Sequence, residues 1–133
     1  MSSVIDSSVL IAALVDTGPL AEWAEDTLVS GSLHAPELIQ VEVTNILRRL
    51  ERARKITTFE AQAAYDDLLQ LHLELFPFEP FANRIWQLRH NVTSYDAWYV
   101  AVAEALDLPF ATLDRRLIKS SGPTCRFLTP RLR

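Results

Sequence analysis

Four carboxylates carry the chemistry this sequence can offer: Asp6, Glu42, Asp96 and Asp114. Asp6 follows the β-branched pair Val4-Ile5 and precedes Ser7-Ser8 and the helix-like apolar run Val9 to Leu14. That pattern puts it at the carboxyl end of a first buried strand, where open parallel α/β sheets bind ligands. Asp114 repeats the arrangement at the end of Leu108-Pro109-Phe110-Ala111-Thr112-Leu113. Glu42 stands four residues after Leu38 and four before Ile46, on the apolar stripe of a helix. Asp96 stands four before Val100 and seven before Ala103, again on an inward face. Two acids at strand ends and two on inward helix faces can meet in one cleft.

Carboxylates that converge need compensation. At roughly 4–5 Å and an effective dielectric near 20, each ionised pair repels by about 3–4 kcal/mol. Either some are protonated or a divalent cation lies among them. Hard oxygen ligands with no cysteine or histidine cluster favour Mg²⁺, with Mn²⁺ as a substitute, over zinc. Such a site suits phosphodiester hydrolysis, because the metal acidifies a water and neutralises charge on phosphate oxygens. Each acid also has an ordinary reading. Asp6 can cap the first helix, and Asp96 can be a first-turn acid favoured by the helix dipole. Glu42 can reach past the edge of its stripe, and Asp114 can be a turn residue. His34, His72 and His90 are scattered and read as surface or packing residues.

The elements that must position these acids follow from the pattern along the chain. Pro19 opens a helix of about Leu20 to Ser30, and Leu33-His34-Ala35 is a strand candidate. Pro36 starts a long helix to about Ala53, with Leu38, Val41, Ile46 and Leu50 as its apolar positions. Thr57 and Glu60 form a capping box for a helix reaching about Leu73. Leu75 to Phe78 reads as an edge or irregular strand because it contains Pro77. Pro80 opens a helix through about His90, and Thr93 or Ser94 caps another from Tyr95 to Leu106. A helical turn Arg115 to Lys119 and a strand Cys125 to Leu128 close the chain. Short strands alternating with helices predict a single three-layer α/β/α domain, residues 1–133, with a mostly parallel central sheet. The strand order does not follow from this pattern.

Composition bounds the function. At 133 residues and 49% hydrophobic content the chain suits one globular domain. A single cysteine, Cys125, excludes an internal disulfide and suits the reducing cytoplasm. No apolar run exceeds Val9 to Val15, far short of a membrane span, and the first basic residue is Arg48, which argues against a signal peptide. A soluble, intracellular protein is expected. The net charge of −4 hides an asymmetry: residues 1–47 carry seven acids and no Lys or Arg, whereas residues 108–133 carry six bases and one acid. Arg48, Arg49, Arg52, Arg54 and Lys55 form another basic cluster, more often a solvated helix face than a polyanion site. Three glycines form neither a dinucleotide nor a Walker motif. Asp6-Ser7-Ser8 lacks the second acid that an aspartyl-phosphate phosphatase carries two residues on.

Val-Ile-Asp-Ser-Ser at residues 4–8, Pro36-Glu37-Leu38 leading to Glu42-Val43-Thr44-Asn45-Ile46-Leu47, Tyr95-Asp96-Ala97-Trp98-Tyr99, and Thr112-Leu113-Asp114 occur in a fixed order. In these motifs the chain resembles the PIN-domain ribonucleases, and in particular the VapC-type toxins of bacterial toxin–antitoxin pairs. The resemblance spans Val4 to about Leu117. It implies a Mg²⁺-dependent endoribonuclease acting on RNA, commonly a homodimer, inhibited by a cognate antitoxin protein. It makes Asp6, Glu42, Asp96 and Asp114 the acidic quartet that holds metal and does catalysis, with Ser7, Ser8, Asn45 and Thr112 as surrounding hydrogen-bonders. Many relatives carry another acid just after the fourth. Here Arg115 and Arg116 stand there, which puts a fifth ligand in doubt and suggests a contact to RNA phosphate. Phe59, Trp86, Trp98 and Tyr99 exceed the aromatic bulk a sheet core obviously needs, though packing accounts for most of them. By the resemblance, an antitoxin helix lies in an apolar groove near the site. The alternatives are a catalytically weak PIN-like domain binding RNA or protein, and a metal-dependent DNA nuclease or phosphatase.

Overall fold

The computed structural model describes residues 1–131, so the last two residues of the predicted domain lie outside the described ones. Five strands build one sheet: β1 (Ser3–Ile5), β2 (Leu33–Pro36), β3 (Leu73–Phe76), β4 (Phe110–Ala111) and β5 (Phe127–Leu128). They lie in the order β3-β2-β1-β4-β5, and every neighbouring pair is parallel. Parallel neighbours need long crossovers, and the intervening helices supply them. These are α1 (Ser7–Val15), α2 (Pro19–Val29), α3 (Leu38–Arg52), α4 (Thr58–Gln70), α5 (Ala82–Gln87), α6 (Ser94–Leu106) and α7 (Arg115–Lys119). Helices α1 to α4 pack among themselves, while α6 packs on α5 and on β1, β2 and β4. The fold class is thus the α/β architecture with flanking helices that the sequence predicts, with a sheet that is wholly parallel.

The apolar strands explain the core. Val4, Ile5, Phe110 and Ala111 are fully buried, as expected of central strands covered on both faces. Tyr99 of α6 stacks flat on Phe110, with ring centroids 5.7 Å apart. The capping box at Thr57 and Glu60 is present, both reciprocal bonds being formed at 2.9 and 3.0 Å. Thr93, not Ser94, caps α6.

Several boundaries differ from the sequence reading. Helix α1 starts at Ser7, because Asp6 itself is the cap and accepts the Val9 N–H at 3.2 Å. Pro36 ends β2 instead of opening α3: the Glu37 N–H donates to the Phe76 carbonyl at 3.0 Å, so the ladder continues past the proline. β3 lies two residues earlier than predicted and stops before Pro77, which cannot donate to a ladder. α4 accordingly ends at Gln70. The helix expected from Pro80 to His90 is a 3₁₀ turn, Glu79–Phe81, followed by the short α5. In α3, Val41 is 67% exposed, and the buried line is Ile39, Val43 and Leu47. Leu38, Glu42, Ile46 and Leu50 form a half-buried row beside it. Among the described residues no helix is long and apolar enough to cross a membrane.

Candidate active site

The strand order reverses at β1. From there the chain winds outward to β2 and β3, then returns to the other side for β4 and β5. The crevice at the carboxyl ends of β1 and β4 is therefore the topological switch point, where open parallel sheets bind ligands. Val4 lies opposite Phe110 and Ile5 opposite Ala111. One residue further, the same register brings Asp6 against Thr112.

Asp6 is only 8% exposed, and both its oxygens accept hydrogen bonds. Oδ1 accepts the Ser8 hydroxyl at 2.5 Å and the Val9 N–H at 3.2 Å, while Oδ2 accepts the Thr112 hydroxyl at 2.5 Å. The two hydroxyls in turn accept backbone N–H groups from the β4–α7 turn: Leu113 on Ser8 at 3.1 Å and Asp114 on Thr112 at 3.0 Å. A single buried carboxylate thus ties the start of α1 to the turn carrying Asp114. Asp114 caps α7 with Oδ1, accepting the Arg116 and Leu117 N–H groups at 3.0 and 3.2 Å. Both strand-end acids are helix caps, as the ordinary reading has it for Asp6, and Asp114 also lines the cleft beside Asp96.

Glu42 and Asp96 arrive from the helices, each half-buried. Glu42 Oε1 accepts the Tyr99 hydroxyl at 2.5 Å, which joins α3 to α6 across the site. Tyr99 is a site residue that the sequence reading treated as aromatic bulk. The available signal was its place one turn after Asp96, since a buried phenol needs a polar partner.

The electrostatics show which acids sense one another. Burial pushes the Asp6 carboxyl up to about 6, against the hydrogen bonds from Ser8, Thr112 and Val9, and the charge of Asp96 adds to the rise. Burial raises Glu42 as well, with Tyr99 holding it down and Asp96 pushing it up. Asp96 is raised by burial and then by the charge of Asp114. Asp96 is therefore the acid through which the other three are coupled. Among the described residues, ion pairs join only His34 to Glu74 and Arg84 to Glu104, so no base neutralises the four acids.

Of the other predicted residues, Ser8 and Thr112 enter this web, whereas Ser7 and the exposed Asn45 make no side-chain hydrogen bond among the described residues. Arg115 and Arg116 are exposed on α7, and Arg116 lines a cleft of about 280 Å³ together with Asp96 and Asp114. Phe59 and Trp86 are 82% and 66% exposed, with Arg89 stacked over the Trp86 ring. Trp98 is half-buried and meets Phe78 edge-on.

The donor set fits a hard divalent cation in kind: carboxylate oxygens, no thiolate, and repulsion with no basic partner. It is not drawn in to coordination spacing, since no three His, Cys, Asp or Glu side chains form a metal-holding group among the described residues. The hydrogen bonds explain this, because Asp6 and Asp114 are turned toward their own caps.

A wholly parallel α/β domain with carboxylates at its switch point has the layout of a ligand-binding crevice. The sequence model of the PIN domain matches residues 3–122. The chain is 40% identical to Ribonuclease VapC1 of Mycobacterium tuberculosis over 92% of each protein, and 33% identical to VapC ribonuclease Mb0985 of Mycobacterium bovis over 92% of this chain and 93% of that one. In solved structures the fold is similar to FitAcB from Neisseria gonorrhoeae, with TM-score 0.70, 18% identity and 96% of each chain covered. It is also similar to Mycobacterium tuberculosis VapC20, described as a sarcin–ricin loop cleaving toxin, with TM-score 0.64, 16% identity, and 89% and 93% covered. The chain belongs to the PIN-domain family and, within it, to the VapC ribonucleases.

Proposed function

We propose that this protein is a metal-dependent endoribonuclease, the toxin of a toxin–antitoxin pair, working in the cytoplasm as a homodimer held in check by an antitoxin protein. The observation that carries the reading is a set of four coupled, unneutralised carboxylates at the switch point of a PIN fold. Kinship with VapC ribonucleases supports RNA as the substrate and an antitoxin as the partner.

Asp96 and Asp6 would hold Mg²⁺ or Mn²⁺, with Asp114 and Glu42 completing the site. When bound, the ion stabilises charge on phosphate oxygens and makes water easier to deprotonate. The chain's own residues do the rest. Ser8 and Thr112 fix the plane of the Asp6 carboxylate, so its direction is set before substrate arrives. Tyr99 occupies one oxygen of Glu42 and leaves the other to orient the attacking water. As the bond from that water's oxygen to phosphorus forms, the P–O bond to the leaving ribose oxygen breaks; the water's proton passes to the free Glu42 carboxylate oxygen, and the ribose oxygen takes a proton from solvent. Arg115 and Arg116 hold flanking phosphates.

The test is direct. Purified protein should cut single-stranded RNA with Mg²⁺ or Mn²⁺, spare DNA of the same sequence, and stop in a chelator. Expression alone should arrest growth, and co-expression with an adjacent antitoxin gene should relieve the arrest. Equal cutting of DNA would move the reading to a general nuclease, and full activity in a chelator would remove the metal.

The arginine pair gives a second prediction. Each phosphate contact on a single strand contributes about 0.7 to the slope of log K against log salt. Replacing Arg115 and Arg116 by Ala should therefore lower that slope by about 1.4 in RNA-binding titrations. An unchanged slope would assign both to ordinary surface.

A further inference from the structure

The cleft beside Asp96 and Asp114 is larger than the acids need. Its about 280 Å³ extends along the segment joining α5 to α6 and the segment after α7, and its polar wall is made by Asn91, Ser120 and Arg116. These groups differ from the acids in what they offer. Arg116 is an exposed cation without an ion-pair partner among the described residues. The Ser120 hydroxyl donates to the Leu117 carbonyl at 2.6 Å, which leaves its lone pairs free to accept.

Asn91 is the most informative of the three. One amide hydrogen donates to the Ser121 hydroxyl at 2.8 Å, leaving the other hydrogen and the carbonyl oxygen without a partner among the described residues. The amide is also held by shape. A side chain at Gly122 would meet Asn91 Cγ at 3.1 Å and Oδ1 at 3.2 Å, and Gly122 has a φ of +105°, which favours glycine. The Gly122 carbonyl accepts Arg84 at 2.9 Å, and Arg84 is paired with Glu104 at 2.7 Å. An exposed asparagine held against Gly122 thus keeps one amide hydrogen and its carbonyl oxygen free, in the lining of a cleft shared with two acids.

Resting on the ribonuclease reading above, we infer that this cleft is the subsite for the nucleotide next to the scissile phosphate, with Asn91 as the residue that reads its base. Arg116 takes the phosphate of that nucleotide, and Ser120 accepts from its base or ribose. An amide that supplies one donor and one acceptor can pair with a base edge, as asparagine does with adenine. A base read in this way must be splayed out of its stack, which favours single-stranded or loop RNA. The specificity of the enzyme is set here, separately from the acids that do the chemistry.

The experiment compares cleavage of single-stranded RNAs that vary only at the nucleotides flanking the cut. Asn91→Ala should flatten the parent's base preference by about fivefold or more in kcat/KM. Ser121→Ala removes the hydrogen bond that pins the amide but leaves the amide in the cleft, so it should flatten the preference less than Asn91→Ala does. An unchanged preference in an active Asn91→Ala enzyme overturns the inference and leaves the ribonuclease reading standing. Equal flattening by Ser121→Ala also overturns it, because the effect would then be a loosened wall. If the parent cuts no RNA, the ribonuclease reading falls and takes this one with it.

Discussion

Asp96→Asn will abolish RNA cleavage and, in a chelator, will melt above the parent. Burial does most to raise Asp6, Glu42 and Asp96; beyond it the charge of Asp96 adds to the rise of Asp6 and Glu42, and that of Asp114 adds to the rise of Asp96. A neutral amide keeps the shape but holds a divalent cation poorly. Its loss should exceed the 10–100-fold typical of residues that only orient metal holders. The same substitution lifts repulsion from three neighbours at once, and sites that tolerate such strain do so for activity. Relief of about 1 kcal/mol raises the melting temperature of a domain this size by about 3–5 °C. Adding Mg²⁺ or Mn²⁺ should then raise the parent by linkage and the variant much less, so the two curves converge or cross. Parental cleavage rates in the variant, or a less stable variant with no metal shift in the parent, would reduce Asp96 to a first-turn helix residue.

The acids were legible because each stands at a boundary that local pattern marks: a β-branched run followed by serines for Asp6, a strand ending at Thr112-Leu113 for Asp114. What stayed hidden were relations between distant segments. The strand order, and with it the switch point between β1 and β4, depends on how crossovers pack and not on any local periodicity. The buried row of α3 was misjudged for a related reason. Leu38-Glu42-Ile46 and Ile39-Val43-Leu47 are adjacent rows with the same spacing, and only the packing of α1, α4 and β2 on α3 decides which is covered. Tyr99 escaped notice as a site residue because its partner, Glu42, lies 57 residues away. The Thr112 hydroxyl, 106 residues from Asp6, was placed near the acids by family resemblance alone.

Thr112→Val tests that long-range bond most sharply. The valine keeps the shape of a fully buried side chain and removes only the hydroxyl. Asp6 Oδ2 then faces a methyl group, and the Asp114 N–H loses its acceptor. A hydrogen bond to a charged group is worth about 1.5–3 kcal/mol, so the chelated protein should lose about 2–3 kcal/mol at pH 7.5, or roughly 10 °C of melting temperature. The pH dependence carries the diagnosis. Asp6 titrates near 6 in the folded chain, above its ordinary 3.8, because burial penalises the charge. A raised carboxyl costs stability in full above the folded value, and the cost is withdrawn as pH falls toward the unfolded one. Both proteins should therefore gain stability between pH 7.5 and 5. The variant should gain more, since loss of a donor to the carboxylate raises Asp6 further. Thr112→Ser returns the hydroxyl and should restore the parent's pH profile. RNA cleavage at neutral pH should fall about 10–100-fold in the valine variant, as for other partners that orient a metal-holding group. A stability gap that stays constant across this pH range would show that Thr112 contributes packing alone and that no charge on Asp6 depends on it.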